Sequence, residues 1–213
     1  MKTILCYGDS NTWGYDPRTA GRYDHKTRWP MAMARLLNKD TPPEDPAWWV
    51  IEEGLNGRTS CREDPVEGDK NGLRQLLPIL ESHKPLDVVA VMLGTNDLKP
   101  RFNPNPFDIA QGVQRVVSAI QESKFGPGDS APKVIMICPP PTVKSRVFTH
   151  IFGDSIALSK KLEPFYRQLA GECGALYLYA GKHVKTSKAD GIHFEREGHL
   201  ALAEAMAEIV RGL

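Results

Sequence analysis

The sequence predicts an α/β domain, a parallel sheet with helices packed on both faces and joined by right-handed crossovers. Two patterns and the length carry this expectation. Five short apolar runs alternate with five helix-like segments along the chain. The run Val88-Val89-Ala90-Val91-Met92-Leu93 is apolar at every position, as a strand buried on both faces should be. At 213 residues the chain suits one large domain spanning 1–213, long enough to bury a sizeable core.

The first strand is expected at 3–7, where Ile4-Leu5-Cys6-Tyr7 precedes Gly8 and Asp9. A helix follows at about 29–38, with Pro30 near its start, where the missing N–H does no harm. Strands at 48–52, 87–93, 133–138 and 175–179 are separated by helices at about 72–83, 107–123 and 155–173. The last helix, about 195–212, places Leu202, Met206, Ile209, Val210 and Leu213 on one face. No internal repeat, low-complexity tract or domain linker interrupts this order.

Two connections are long. Residues 12–27 carry Trp13, Tyr15 and Tyr23, and residues 139–153 open with three prolines and continue through Val147-Phe148-Thr149-His150-Ile151-Phe152. Long loops of this kind are usually functional or flexible, and the alternative is a loop folded over its own core. Their aromatic content points to pocket walls or to surfaces covered by another subunit.

Composition narrows the function. Hydrophobic residues make up 41% and charged residues 25%, with a net charge of +1 and no basic stripe, which argues against nucleic acid or an anionic membrane as partner. No run approaches the ~20 apolar residues of a spanning helix, and the N-terminus is too short in apolar residues for a signal peptide. Cys6, Cys61, Cys138 and Cys173 form no CxxC pair, so neither a metal site nor a disulfide framework is expected and a reducing cytoplasm fits. Cys6 and Cys138 are expected as buried thiols.

The chemistry lies in four short stretches. Ser10 follows the first strand directly, at the sheet edge where ligands bind in open α/β folds. By itself Gly8-Asp9-Ser10 is a weak signal, because Gly153-Asp154-Ser155 repeats it; there Ser155 or Asp154 is expected to cap a helix. Asp190 and His193 are spaced so that one turn of chain brings carboxylate and imidazole together, the carboxylate accepting from Nδ1–H and leaving Nε2 to take a serine proton. His199 has poor spacing for a shared metal, and His25, His83, His150 and His183 have no acidic partner in comparable register. Asn96, after the third strand, could donate its amide to a developing oxyanion, though a loop Asn also often satisfies its own backbone. Gly57, after the second, has a backbone N–H that can approach a ligand closely, though Asn56-Gly57 also reads as a tight turn.

With these parts in this order, the chain resembles the SGNH (GDSL-type) hydrolases. Gly8-Asp9-Ser10 matches the family's first block, Gly57 the second, Gly94-Thr95-Asn96-Asp97 the third and Asp190-Gly191-Ile192-His193 the fifth. The resemblance implies a flavodoxin-like three-layer α/β/α sandwich with a five-stranded parallel sheet. It makes Ser10 the nucleophile, His193 the base and Asp190 its orienter, with Ser10, Gly57 and Asn96 as oxyanion donors. Trp13-Gly14, Glu52-Glu53-Gly54-Leu55, Arg58-Thr59 and Phe194 extend the likeness to the arylesterase/acyltransferase branch. That branch implies small acyl and aryl esters as substrates, transfer to alcohols or peroxide, no cofactor, and a homo-oligomer as large as an octamer. Asn11 departs from the family's usual Leu, and Asn11, Trp13, Thr95 and Ile192 are expected on the pocket wall. The alternatives are an acyl-CoA thioesterase or lysophospholipase using the same triad, a flavodoxin-like nucleotide or flavin module, and a sugar-ester-binding protein with a decayed site. The flavodoxin-like module lacks a phosphate-cradling glycine loop, and the decayed site is disfavoured because every catalytic part is present.

Overall fold

A computed structural model describes residues 1–153 and 155–213. Five strands, β1 (Lys2–Gly8), β2 (Trp48–Gly54), β3 (Val88–Met92), β4 (Lys133–Cys138) and β5 (Leu176–Tyr179), form one sheet in the order β2-β1-β3-β4-β5. Every neighbouring pair is parallel. The order reverses between β1 and β3. In doubly wound sheets the crevice beyond the strand ends at that reversal is where ligands bind.

The helices are α1 (Ser10–Trp13), α2 (Trp29–Leu37), α3 (Gly72–His83), α4 (Pro106–Gln121), α5 (Thr149–Phe152), α6 (Ser155–Ser159), α7 (Leu162–Glu172) and α8 (Arg196–Arg211). Alternation along β1 divides the core in two. Ile4 and Cys6 face a layer formed by Trp29 and Met33 of α2 and by Leu202, Met206 and Val210 of α8. Leu5 and Tyr7 face the layer of Leu76, Leu80, Val113, Val117 and Tyr166 from α3, α4 and α7. This is the period-two pattern of a strand buried on both sides. Ile209 and Leu213 are partly buried against the same core as Leu202, which completes the apolar face expected of the last helix. Cys6 and Cys138 are buried free thiols.

Local chemistry sets the helix ends. Asn71 accepts from the Arg74 N–H to start α3, and Asn105 accepts from the Phe107 N–H ahead of Pro106 to start α4. The single helix expected over 155–173 is two. A continuous helix would require an N–H from Pro164 to the Lys160 carbonyl. Proline has none, and its ring clashes with that carbonyl, so Pro164 is accommodated in the first turn of α7. Ser155 does not act as a cap: it is the first residue of α6, and its hydroxyl meets that of Thr142 at 3.1 Å. Asp154, the other expected cap, lies outside the described residues. A one-turn helix, α1, leads into the first long connection and another, α5, lies within the second; periodicity over so few residues does not reveal either. Among the described residues no helix is long and apolar enough to cross a membrane.

Candidate active site

Gly8 ends β1 and lets the chain turn back on itself. A Cβ at Gly8 would lie 2.0 Å from Thr12 Oγ1 and 2.9 Å from the Met92 carbonyl, so only glycine fits. Asp9 then caps α1, accepting from the Asn11 N–H at 2.9 Å, and Ser10 opens the helix at the carboxyl edge of the sheet. Burial pushes the Asp9 carboxyl up to about 6, against the opposing pull of the Asn11 N–H and of the His193 charge.

Ser10 Oγ lies 2.7 Å from His193 Nε2, and His193 Nδ1 lies 2.6 Å from Asp190 Oδ2. All three side chains are buried. The second oxygen of Asp190 accepts from the N–H groups of Ile192 (2.9 Å) and His193 (3.0 Å), which winds residues 190–193 into a tight loop. Burial pushes the Asp190 carboxyl up, but the hydrogen bond and charge of His193 and the two backbone donors outweigh it and hold the group below its ordinary value. An ionised carboxylate only accepts, so Nδ1 carries the proton and Nε2 is left to accept from the serine hydroxyl.

The turns after β2 and β3 are locked together beside this triad. Asp97 is buried and accepts from the Ser60 hydroxyl at 2.6 Å and from the Ser60 N–H at 3.0 Å. Asn96 Nδ2 donates to the Arg58 carbonyl at 3.1 Å. Arg58 donates to the carbonyls of Gly8 (2.8 Å) and Glu53, and its guanidinium lies over the Tyr7 ring. Three strand ends are therefore tied to one another. Gly57 sits between them at φ 82°, a conformation L side chains rarely adopt.

Ser10, Gly57, Asn96 and His193 line one cavity of about 200 Å³. Its apolar wall is Phe148, Ile151, Phe152 and Ile192, and its remaining wall holds Tyr15, Asn56, Glu67 and Lys99. The aromatic segment 147–152 thus supplies much of the wall. Of the four residues expected there, Ile192 alone lines the cavity. Asn11 is turned into the protein, where its amide bonds the backbone on either side of His193. Trp13 is held outside the cavity: Arg22 donates to its carbonyl and lies 5.1 Å from its ring. Thr95 is buried in the turn that presents Asn96. A larger hollow of about 440 Å³ adjoins across Phe148, Phe152 and Ile192; it touches Asp190 but neither Ser10 nor His193.

Reading the sequence missed several contributors. Tyr15 stacks on the His193 ring, and Phe148 meets that ring edge-on at 5.8 Å. Glu67 lies in a charged stretch that reads as solvated surface, yet it faces the cavity. His83 does have an acidic partner, Glu53 at 2.8 Å, reached through tertiary contact and so invisible in sequence register. His199 is fully buried between Tyr23 and Phe194, with no hydrogen-bond partner on either nitrogen among the described residues. Burial first, then the charges of His193 and Arg28, drive its pKa down to about 3, so it packs as a neutral ring.

Comparison with known proteins identifies the family and the fold. Residues 6–201 match the profile of the GDSL-like Lipase/Acylhydrolase family. The structure superimposes on a carbohydrate acetylesterase from Sinorhizobium meliloti with a TM-score of 0.92 at 36% identity, covering 100% of this chain and 99% of that one. It superimposes equally on an aryl esterase from M. smegmatis, with a TM-score of 0.92 at 37% identity and 100% of both chains covered. A curated relative, an acetylxylan esterase from Xylanibacter ruminicola, is 23% identical over 98% of this chain, which spans only 43% of that protein's length.

Proposed function

This chain belongs to the GDSL-like lipase/acylhydrolase family, and from that premise we propose that it is a serine esterase acting on small acyl or aryl esters. One observation carries the reading: the 2.7 Å contact between Ser10 Oγ and His193 Nε2, with Asp190 on the far side of the imidazole. A nucleophile, its base and the base's orienter stand in series, in the geometry acyl transfer requires.

In the proposed reaction, Ser10 Oγ attacks the ester carbonyl carbon as its proton passes to His193 Nε2. The carbonyl π-bond opens and its electron pair settles on oxygen. The N–H groups of Ser10 and Gly57 and the Asn96 amide receive that oxyanion. Collapse re-forms the carbonyl and breaks the bond to the alcohol, which leaves with the proton from His193. A water then attacks the acyl-serine, giving its proton to His193, and a second collapse releases the acid and restores Ser10. An alcohol or peroxide in place of the water would complete an acyl transfer, which we include in the proposal.

The cavity of about 200 Å³ favours short acyl groups over the long chains of a lysophospholipid and over the bulk of an acyl-CoA. Val147 and Ile151 are exposed apolar side chains beside the cavity, which supports self-association into a homo-oligomer. The four unpaired cysteines support a reducing, cytoplasmic setting. The test of the reading is p-nitrophenyl acetate hydrolysis by the wild type and Ser10→Ala, with mass mapping after a serine-directed phosphonate. We expect activity in the wild type, label on Ser10, and loss of both in the variant. Near-normal hydrolysis by Ser10→Ala would overturn it.

A further inference from the structure

Beside Gly57, the cavity wall carries a carboxylate oxygen that the protein leaves without a partner. Glu67 Oε1 is fully occupied, accepting from Lys99 Nζ at 2.5 Å and from Arg101 Nη2 at 2.6 Å. Oε2 accepts no hydrogen bond among the described residues, and it faces Gly57: an ideal Cβ on that glycine would lie 2.5 Å from it. Lys99 is buried, with Asp64 Oδ2 at 3.5 Å on its other side, so it has no freedom to turn toward a ligand. Arg101 likewise spans Asp64 and Glu67. Lys99 and Arg101 thus answer the carboxylates of Asp64 and Glu67, while the side chain of Lys70 borders the same spot, its Cε 3.4 Å from that ideal Cβ.

We propose that Glu67 is a specificity-determining residue, whose Oε2 accepts a hydrogen bond from a donor on the alcohol portion of the ester. The inference rests on the esterase reading and deepens it. The wall itself argues for the alcohol side. Its apolar members, Phe148, Ile151, Phe152 and Ile192, suit an acyl chain, while Asn56 and Glu67 supply the polar surface. An alcohol bearing a hydroxyl donor satisfies Oε2 as it leaves bulk water. A purely alkyl alcohol strips water from that oxygen and returns nothing, and a carboxylate-bearing alcohol meets like charge. The substrate class is therefore a short-chain ester of a hydroxylated alcohol.

Three acetates of similar size test this: 2-hydroxyethyl acetate, propyl acetate and acetoxyacetate, each assayed for kcat/KM. The wild type should prefer the hydroxyethyl ester over the propyl ester by about tenfold, the scale of one hydrogen bond to a charged group, and should turn over acetoxyacetate slowest. Glu67→Gln keeps an acceptor and removes the charge, so its acetoxyacetate-to-propyl ratio should rise by about tenfold. Glu67→Ala should bring the hydroxyethyl-to-propyl ratio close to one. Each ratio is taken within one preparation, so partial misfolding of a variant does not enter it. Equal wild-type rates on the first two esters, or ratios unmoved in both variants, would overturn the inference and leave the esterase reading standing. If the wild type hydrolysed none of the acetates, both would fall.

Discussion

Tyr15 lies on the face of His193, with ring centroids 4.1 Å apart and planes inclined by 30°. The tyrosine comes from the segment just after α1, so the connection that follows Ser10 covers the His193 ring. Phe148 closes a second side of the imidazole. With Asp190 at one nitrogen and Ser10 at the other, little of the ring remains for water.

Tyr15→Ala should therefore lower kcat on p-nitrophenyl acetate by about two- to tenfold, the scale of one aromatic pair. Tyr15→Phe should stay close to wild type, because the phenol oxygen has no hydrogen-bond partner among the described residues. Steady-state kinetics of the two variants give the comparison. A loss in Tyr15→Phe equal to that in Tyr15→Ala would assign the effect to the hydroxyl.

Asn11 supports the same histidine from within. Its Nδ2 donates to the Ile192 carbonyl at 3.4 Å and its Oδ1 accepts from the Phe194 N–H at 3.2 Å, one bond on each side of His193. Asn11→Leu would leave both buried backbone groups unpaired, at a cost of about 1–3 kcal/mol each. We expect a lower melting temperature together with a lower kcat, read by thermal unfolding and by the same assay. A leucine variant with unchanged kcat would show that the loop keeps its register without this clamp.

Asn96→Ala should lose about 10²–10³ in kcat if its amide serves the oxyanion as proposed. Part of the amide is already committed to the Arg58 carbonyl, so Asn96→Asp, which cannot donate, makes a useful second variant. Both should fall mainly in kcat, with smaller changes in KM. A defect confined to KM would instead indicate a role in ground-state binding.

Stability should fall in acid partly through His199. Its folded pKa of about 3 lies below the value of about 6.5 for an unfolded histidine, so between the two the unfolded chain binds the extra proton. The contribution is intact above about pH 6.5 and is lost progressively as pH drops toward 3. His199→Leu should melt higher than the wild type at pH 5 by more than it does at pH 7.5. A pH-independent difference would mean that the ring does not titrate on unfolding.

Asp9 should act in the opposite sense. Its folded pKa of about 6 lies above the usual carboxylate value, so the folded state holds the proton more tightly, and stability is lost as pH rises from about 4 to 6. Asp9→Asn, which can still cap α1, should show its melting advantage at pH 7 and lose most of it at pH 4. Thermal scans at the two pH values decide it.

The fold was largely readable because its signals are local. Strands such as Val88–Met92 declare themselves by unbroken apolarity, and α8 by a stripe at helical spacing. The parts that escaped are non-local or too short. The one-turn helices α1 and α5 offer no period to detect, and the break before α7 turns on a single ring at Pro164. At the site, the motif residues were legible by type and order. Their supports were not, since Tyr15 on His193, Asn11 beside residues 192 and 194, and Glu67 against Gly57 become neighbours only through tertiary packing. Asn11, expected on the pocket wall, is instead turned inward, its amide bonded to the backbone on either side of His193.

The serine and the imidazole stand 183 positions apart in the sequence. If the two act as proposed, ester cleavage cannot begin until the final crossover has brought the loop ahead of α8 home. Regain of turnover after dilution from denaturant would time that last closure, while circular dichroism would already have reported the earlier gain of helices and strands.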